Sequence, residues 1–515
     1  MTNQQAAWTE GYRAESEYPS GVYPELNPDT LLLTLALQGI KPAAEIVANS
    51  ENKRSLVYCE LGCGQGMTLN LMAARDPNGQ YFGVDYNANQ VRNAREYAKD
   101  IGNENVHFSE DSFADLDKYD IPDCDIIVLH GIWSWISKSM QDCIVAFIRR
   151  KLKPGGIVYN SYNCAVGFSA MHPMRKLLMA AERTTSETEW GNQLTDSLGL
   201  SLQMAEAGAK YFAANPSAVE QIKKVPSYDP AYVKQEYFNS AWQLFFHDEM
   251  ANQMAEAKLN FAGSATLINN RPELALPAEA AAFSQRLSSQ SDIELLKDIW
   301  TNNTFRKDIY VRGIQTMTDA QTNTQLYPLL FRLSRPHNEC KLKVQIPVGL
   351  ATLPEKPYQA IFDAMNERPI TGKEIADIVN QNDVTAPLSL LISTLIAIGF
   401  IHLVPASSEA ERLKSAIERI ESANKKNFTS DKNSSFGVLP GMHSVLNLNA
   451  LQFFFWQANR EGVKDKRAWV ARRLNETGRS LVQKGVVVTD EKEAIEILKN
   501  SEEEFDKNIK PKMSI

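Results

Sequence analysis

The chain predicts an α/β protein built on a Rossmann-like, doubly wound parallel sheet, with a helical middle region and an α+β module towards the C-terminus. Three observations predict this. From Leu56 to Asn163, short apolar runs alternate with helix-like runs, as parallel strands and their crossover helices do. The first apolar run ends in a glycine-rich turn, Gly62-Cys63-Gly64-Gln65-Gly66, and the second ends in an acid, Asp85. The run Asp125 to Leu129 is almost unbroken apolar sequence, as expected of a strand covered on both faces. At 515 residues the chain is long enough for about three domains.

The elements follow in order. A proline- and tyrosine-rich arm, Tyr18 to Pro28, either closes over a ligand or packs on the core, and Tyr18 is a candidate ligand contact. Asp29 can cap the apolar helix Thr30 to Gln38. The first strand, from Leu56, leads through Glu60 into the glycine turn. A dinucleotide fingerprint needs Gly-x-Gly-x-x-Gly, with the third glycine admitting a pyrophosphate to the helix N-terminus. Here the third glycine arrives one residue early, at Gly66, and an acid precedes the turn. Acid-x-Gly-x-Gly-x-Gly instead suits S-adenosyl-L-methionine, which has no phosphate but carries an ammonium that an acid can meet. A tight turn in an ordinary α/β protein and a variant nicotinamide site are the alternatives. Asp85, nineteen residues after Gly66, stands where the two ribose hydroxyls would be bound, beside Tyr86 and Asn87.

The third strand, Val106 to Phe108, leads to Asp111 and Ser112, where an acid accepts from an adenine amino group in this fold. The fourth ends at His130-Gly131-Ile132-Trp133-Ser134-Trp135, and the fifth at Tyr162-Asn163. In open parallel sheets the ligand lies beyond the carboxyl ends of the strands. The cofactor candidates are therefore Tyr18, Glu60, Gly62, Gly64, Gln65, Gly66, Asp85, Tyr86, Asn87, Asp111, Ser112, His130 and Gly131. Tyr162, Asn163, His130 and Trp133 are the catalytic candidates. Each aromatic residue has core packing as its alternative role, and His130 can equally be structural. There is no Asp/Asn-Pro-Pro-aromatic box of the kind that holds a flipped base, and two tryptophans with a tyrosine could line a channel for an alkyl ammonium. The expected architecture is a Rossmann-like class I methyltransferase domain (1–185), a mainly helical middle domain (186–345), an α+β winged-helix-like module (346–405), and a linker with C-terminal helices (406–515).

His-Gly-Ile-Trp-Ser-Trp and Ser-Tyr-Asn, with the Tyr/Pro arm, resemble the bacterial class I methyltransferases that carry a methyltransferase regulatory domain. That group includes the rickettsial protein lysine methyltransferases that modify outer-membrane surface proteins. Gln235-Glu236-Tyr237-Phe238, Phe246-His247-Asp248-Glu249, Leu259 to Leu267, and Phe305 to Gly313 carry the resemblance onward. It implies S-adenosyl-L-methionine as cofactor, a protein lysine as acceptor, and a homodimer. Two stretches depart from the family: Gln235 replaces a histidine, and Cys164 to Phe168 replaces Pro-Gly-Trp. A small-molecule methyltransferase and a non-catalytic partner-binding protein are the alternatives.

The stretch from Met171 to Ile299 reads as largely helical, and Asp308 to Ile314 as a late strand joining the sheet. In the module, helices cover Tyr358 to Met365 and Lys373 to Val379, the latter opened by a capping box at Thr371 and Glu374. A third helix ends at Gly399 before a strand, Phe400 to Val404. Between Asp383 and Val404 there is no lysine or arginine, so contact with phosphate is not expected there. A helix and a mobile linker at Asn427 to Ser435 are expected next, then helices over Leu446 to Trp456, Ala468 to Leu481 and Asp490 to Asn508. The net charge of −8 argues against a general nucleic-acid binder. Six cysteines without a Cys-x-x-Cys pair, and scattered histidines, point to reduced thiols and no metal site. Met1 to Tyr12 lacks the apolar core of a signal peptide, so a soluble cytoplasmic protein is expected.

Overall fold

A computed structural model describes residues 21–44, 55–184, 189–228, 230–239, 241–405, 407–427, 436–438, 445–483 and 486–513. Tyr18 and most of the expected linker at 427–435 lie outside them. Seven strands form the main sheet: β1 Val57–Leu61, β2 Gln80–Asp85, β3 Val106–Glu110, β4 Cys124–Leu129, β5 Leu152–Asn163, β6 Asn260–Ser264 and β7 Phe305–Val311. Their order is β3-β2-β1-β4-β5-β7-β6. β1 to β5 pair in parallel, and β7 runs antiparallel to both neighbours. The order reverses between β1 and β4, and such a switch opens a crevice at the carboxyl ends of the strands.

The late strand is realised as β7, where Tyr310 pairs with Val158 and Phe261, and Ile309 with Tyr159 and Gly263. β6, however, interrupts the stretch expected to be largely helical. It is short, its register shifts between Phe261 and Gly263, and Gly263 has φ +134°. That irregularity erases the period-two pattern by which a strand is read.

Arg306 on β7 anchors the helix Gln290–Thr301. Its Nη2 donates to Glu294 at 2.8 Å, its Nη1 to Asp298 at 2.8 Å, and its Nε to Asp308 at 3.0 Å. All four side chains are buried, which is tolerable only because each charge is paired.

Further along the chain, the helices Glu355–Glu367, Gly372–Gln381 and Leu388–Ala397 pack on a three-stranded sheet. The middle strand of that sheet, Leu330–Leu333, precedes residue 346. The capping box forms: the Glu374 N–H donates to Thr371 Oγ1 at 3.1 Å, and the Thr371 N–H to Glu374 Oε2 at 2.7 Å. Phe331, Ile361, Ile392 and Phe400 share one continuous core with Leu31 and with Tyr159 and Ile309 of the main sheet. The helix Ser407–Asn427 lies on the helices Met67–Arg75 and Ala88–Ile101, with Leu413, Ile417 and Ile420 against Leu71, Tyr97 and Ile101. Leu446–Leu448 is a strand rather than the start of a helix, and the helices are Ala450–Arg460, Lys466–Glu476 and Glu491–Asn508. No helix among the described residues is long and apolar enough to cross a membrane.

Candidate active site

A cavity of about 720 Å³ opens at the switch point of the sheet. Its floor is the glycine turn. The Gly62 N–H donates to the carbonyl of Val84 at 2.7 Å and the Gly64 N–H to Asp85 Oδ2 at 2.9 Å, which ties the turn to the end of β2. Gly66 caps the following helix with φ +62°, and a Cβ there would fall 2.5 Å from the Phe108 ring and 2.8 Å from Ala94. Its bareness therefore serves helix–sheet packing. The arm descends from above, where the Tyr23 N–H donates to Thr68 Oγ1 at 3.1 Å and the Tyr23 ring lies 4.0 Å from His130.

Five carboxylates line the cavity, from Glu60, Asp85, Glu110, Asp111 and Glu236, and no lysine or arginine does so among the described residues. Glu60 is only 4% exposed, and its Oε2 has no hydrogen-bond partner among them. Burial, reinforced by the charge of Asp85, pushes its carboxyl up to about 8. Such a group calls for a cation to hold it ionised. Burial also raises Asp85, opposed by N–H bonds from Asn87 at 3.0 Å and from Gly64. Asp111 accepts from the Ser112 N–H and the Tyr119 hydroxyl, both at 2.9 Å. Burial brings His130 down to about 4, and its Nδ1 lies 2.9 Å from the Tyr159 hydroxyl. His130 is thus neutral at pH 7 and a weak base. Among the described residues no group of three or more histidine, cysteine, aspartate or glutamate side chains is placed to hold a metal.

Most of the expected residues meet here: Glu60, Gly62, Gly64, Gln65, Gly66, Asp85, Tyr86, Asp111, Ser112, His130, Gly131 and Asn163 all line the cavity. Asn87 does not, because its side chain caps the helix Ala88–Ile101. Two of the catalytic candidates are also elsewhere. The Tyr162 hydroxyl donates to Asp308 at 2.6 Å inside the core, and Trp133 is fully buried with its Nε1 donating to Gln253 at 3.1 Å. Successive residues of a strand face opposite sides, so Tyr162 and Asn163 could not both enter one site. Trp135 lines the cavity in place of Trp133. The arm reaches the cavity through Tyr23, and sequence reasoning missed the rest of that wall: Phe305, and from the middle region Tyr232, Gln235, Glu236 and Asn239. The quoted Gln235-Glu236-Tyr237-Phe238 was the available signal for that wall.

The arrangement suits a positively charged ligand with sugar hydroxyls, as S-adenosyl-L-methionine has. Comparison with known proteins agrees. Residues 52–208 match the family model described as "Methyltransferase domain", and residues 229–312 the one described as "Predicted methyltransferase regulatory domain". Over 504 residues, 97% of both chains, the protein is 34% identical to an uncharacterized protein of Synechocystis sp.. It is 27% identical over 227 residues to an uncharacterized protein of Rickettsia prowazekii, covering 43% of this chain and 85% of that one. Among solved structures, PKMT2 from Rickettsia typhi in complex with AdoHcy superposes with a TM-score of 0.67, covering 96% of this chain and 99% of that one at 19% identity.

Proposed function

We propose that this chain, which belongs to the S-adenosylmethionine-dependent class I methyltransferases carrying a methyltransferase regulatory domain, methylates lysine side chains of proteins. The observation that carries the acceptor assignment is the cavity wall, which beyond the carboxylates at the strand ends holds Glu236, no lysine or arginine among the described residues, and the aromatic side chains Tyr23, Trp135, Phe168, Tyr232 and Phe305. Such a wall attracts an alkyl ammonium through charge and cation–π contact and repels phosphate. The lysine methyltransferase resemblance of the sequence motifs points the same way.

Bound S-adenosylmethionine supplies an electrophilic sulfonium methyl. Glu60 would pair with the ammonium of its methionine end, Asp85 would accept from the ribose hydroxyls, and Asp111 and Ser112 would face the adenine. Asn163, at the end of β5, and Trp135 would orient the acceptor. The cavity would hold the acceptor amine, after it has lost a proton to solvent, facing that methyl, and the sulfonium would serve as the leaving group that keeps the bonding electron pair. The main contribution of the chain is alignment of nitrogen and carbon within about 3–3.5 Å. His130, neutral and hydrogen-bonded to Tyr159, shapes the site as an uncharged group.

Incubating the protein and methyl-tritiated cofactor with a bacterial lysate tests the reading. Label in acid-stable protein material that hydrolyses to Nε-methyl-lysines is expected. Label confined to small molecules would instead establish a small-molecule methyltransferase. Binding of S-adenosylhomocysteine without any labelling would mark a non-catalytic binder.

A further inference from the structure

The cavity divides into two halves with different origins. Four of its carboxylates, Glu60, Asp85, Glu110 and Asp111, sit at or just beyond the carboxyl ends of β1, β2 and β3, the side on which the cofactor would lie. The fifth, Glu236, comes from the helix Pro230–Phe238 on the facing wall, inside the segment matched as a regulatory domain. It is accompanied there by Tyr232, Gln235 and Asn239, with Phe305 from the start of β7.

Glu236 lines the same cavity as Tyr23, whose ring packs 4.0 Å from that of His130. Glu60, with its orphaned oxygen, lines that cavity too. Behind the wall, Arg175 holds the segment in place. Its guanidinium lies 4.3 Å from the Trp242 ring and 5.5 Å from that of Trp135, and it donates to the Asn239 carbonyl at 2.5 Å.

We propose that Glu236 is the acceptor-selecting residue: its carboxylate receives the ammonium of the incoming lysine while Tyr23, Tyr232 and Phe305 enclose the alkyl stem. The segment matched as a regulatory domain then supplies the acceptor half of the active site. This rests on the lysine reading above and adds the residue that enforces it. Glutamate suits the task because a charged partner discriminates an ammonium from an apolar isostere far better than packing alone can.

The test is titration calorimetry on the full chain saturated with S-adenosylhomocysteine. The probes are a short peptide with one central lysine and its counterpart with norleucine. The wild type is expected to bind the lysine peptide at least ten-fold more tightly than the norleucine peptide. Glu236→Gln should erase that preference while holding S-adenosylhomocysteine affinity within two-fold, and Glu236→Asp should keep part of it. A retained preference in Glu236→Gln, no preference in the wild type, or an equal loss of S-adenosylhomocysteine affinity would overturn the assignment. Undiminished lysine labelling of lysate proteins by Glu236→Gln would sink it and leave the lysine reading standing. Absence of lysine labelling by the wild type would sink both.

Discussion

At the scale of single residues, Glu60 carries the sharpest consequence. Its carboxyl titrates near 4.5 in an unstructured chain and at about 8 in the ligand-free fold. Between those values the folded protein holds a proton that the unfolded chain has released, so the ligand-free protein loses stability as pH rises through that window. A cationic ligand reverses the situation, because it pairs with the ionised form and drives the proton off. Binding of S-adenosylhomocysteine near pH 7 should therefore release a proton, visible as a buffer-dependent enthalpy in calorimetry. Glu60→Gln should bind ten-fold or more weakly, on the order of 1.5–3 kcal/mol for a lost charge-assisted hydrogen bond. It should release no such proton, and its ligand-free melting temperature should fall less as pH rises through the window. Equal proton release by the variant would place the titrating group elsewhere. Residues also set the limit of what could be read beforehand. Glu60 and Asp85 were legible because chemistry and chain spacing locate them together. Tyr162 was misplaced because its neighbour Asn163 takes the cavity side of β5, which leaves Tyr162 on the face that meets Asp308.

At the scale of elements, the glycine turn does two separable jobs. Gly64 has φ +53°, and a Cβ there would meet only Gln90, at 3.6 Å. Gly66 is different, since a Cβ would collide with Phe108 on β3 and Ala94 on the helix Ala88–Ile101. Gly64→Ala should cost mainly the left-handed backbone conformation, about 1–2 kcal/mol. Gly66→Ala should add an overpacking cost of about 1–3 kcal/mol and melt several degrees lower than Gly64→Ala. Thermal unfolding of the two variants side by side checks this, and equal melting points would mean that Phe108 yields freely. The turn was legible because five successive residues determine it. β6 was not, because its place in the sheet is set by pairing with β7, more than forty residues away, and its own sequence carries a bulge. The wall from Tyr232 to Asn239 was hidden for the same reason, since only the tertiary fold brings it opposite the turn.

At the scale of the whole molecule, the regions expected as separate domains share their packing. The α+β module takes its middle strand from before residue 346 and its core merges with the helix Pro28–Leu37 and the main sheet. The next helix, Ser407–Asn427, is fastened to the cofactor-binding domain at several points. Arg419 donates to the carbonyls of Ala74, Ile101 and Gly102, and the Tyr97 hydroxyl donates to Asn424 at 2.9 Å. The two helices beneath it, Met67–Arg75 and Ala88–Ile101, begin directly after the glycine turn and after Asn87. Whatever steadies them steadies the site. Burying a leucine or isoleucine side chain is worth roughly 1.5–3 kcal/mol, so Leu413, Ile417 and Ile420 together contribute on the order of 5–9 kcal/mol. A whole domain commonly has about 5–15 kcal/mol to spare. A chain ending at residue 405 should therefore aggregate or melt far below the full protein. Where it stays folded, its affinity for S-adenosylhomocysteine should drop, even though every residue lining the cavity is retained. Melting and calorimetry on the 1–405 chain decide the matter. A truncated protein with undiminished melting temperature and ligand affinity would show the C-terminal helices to be passengers on the fold.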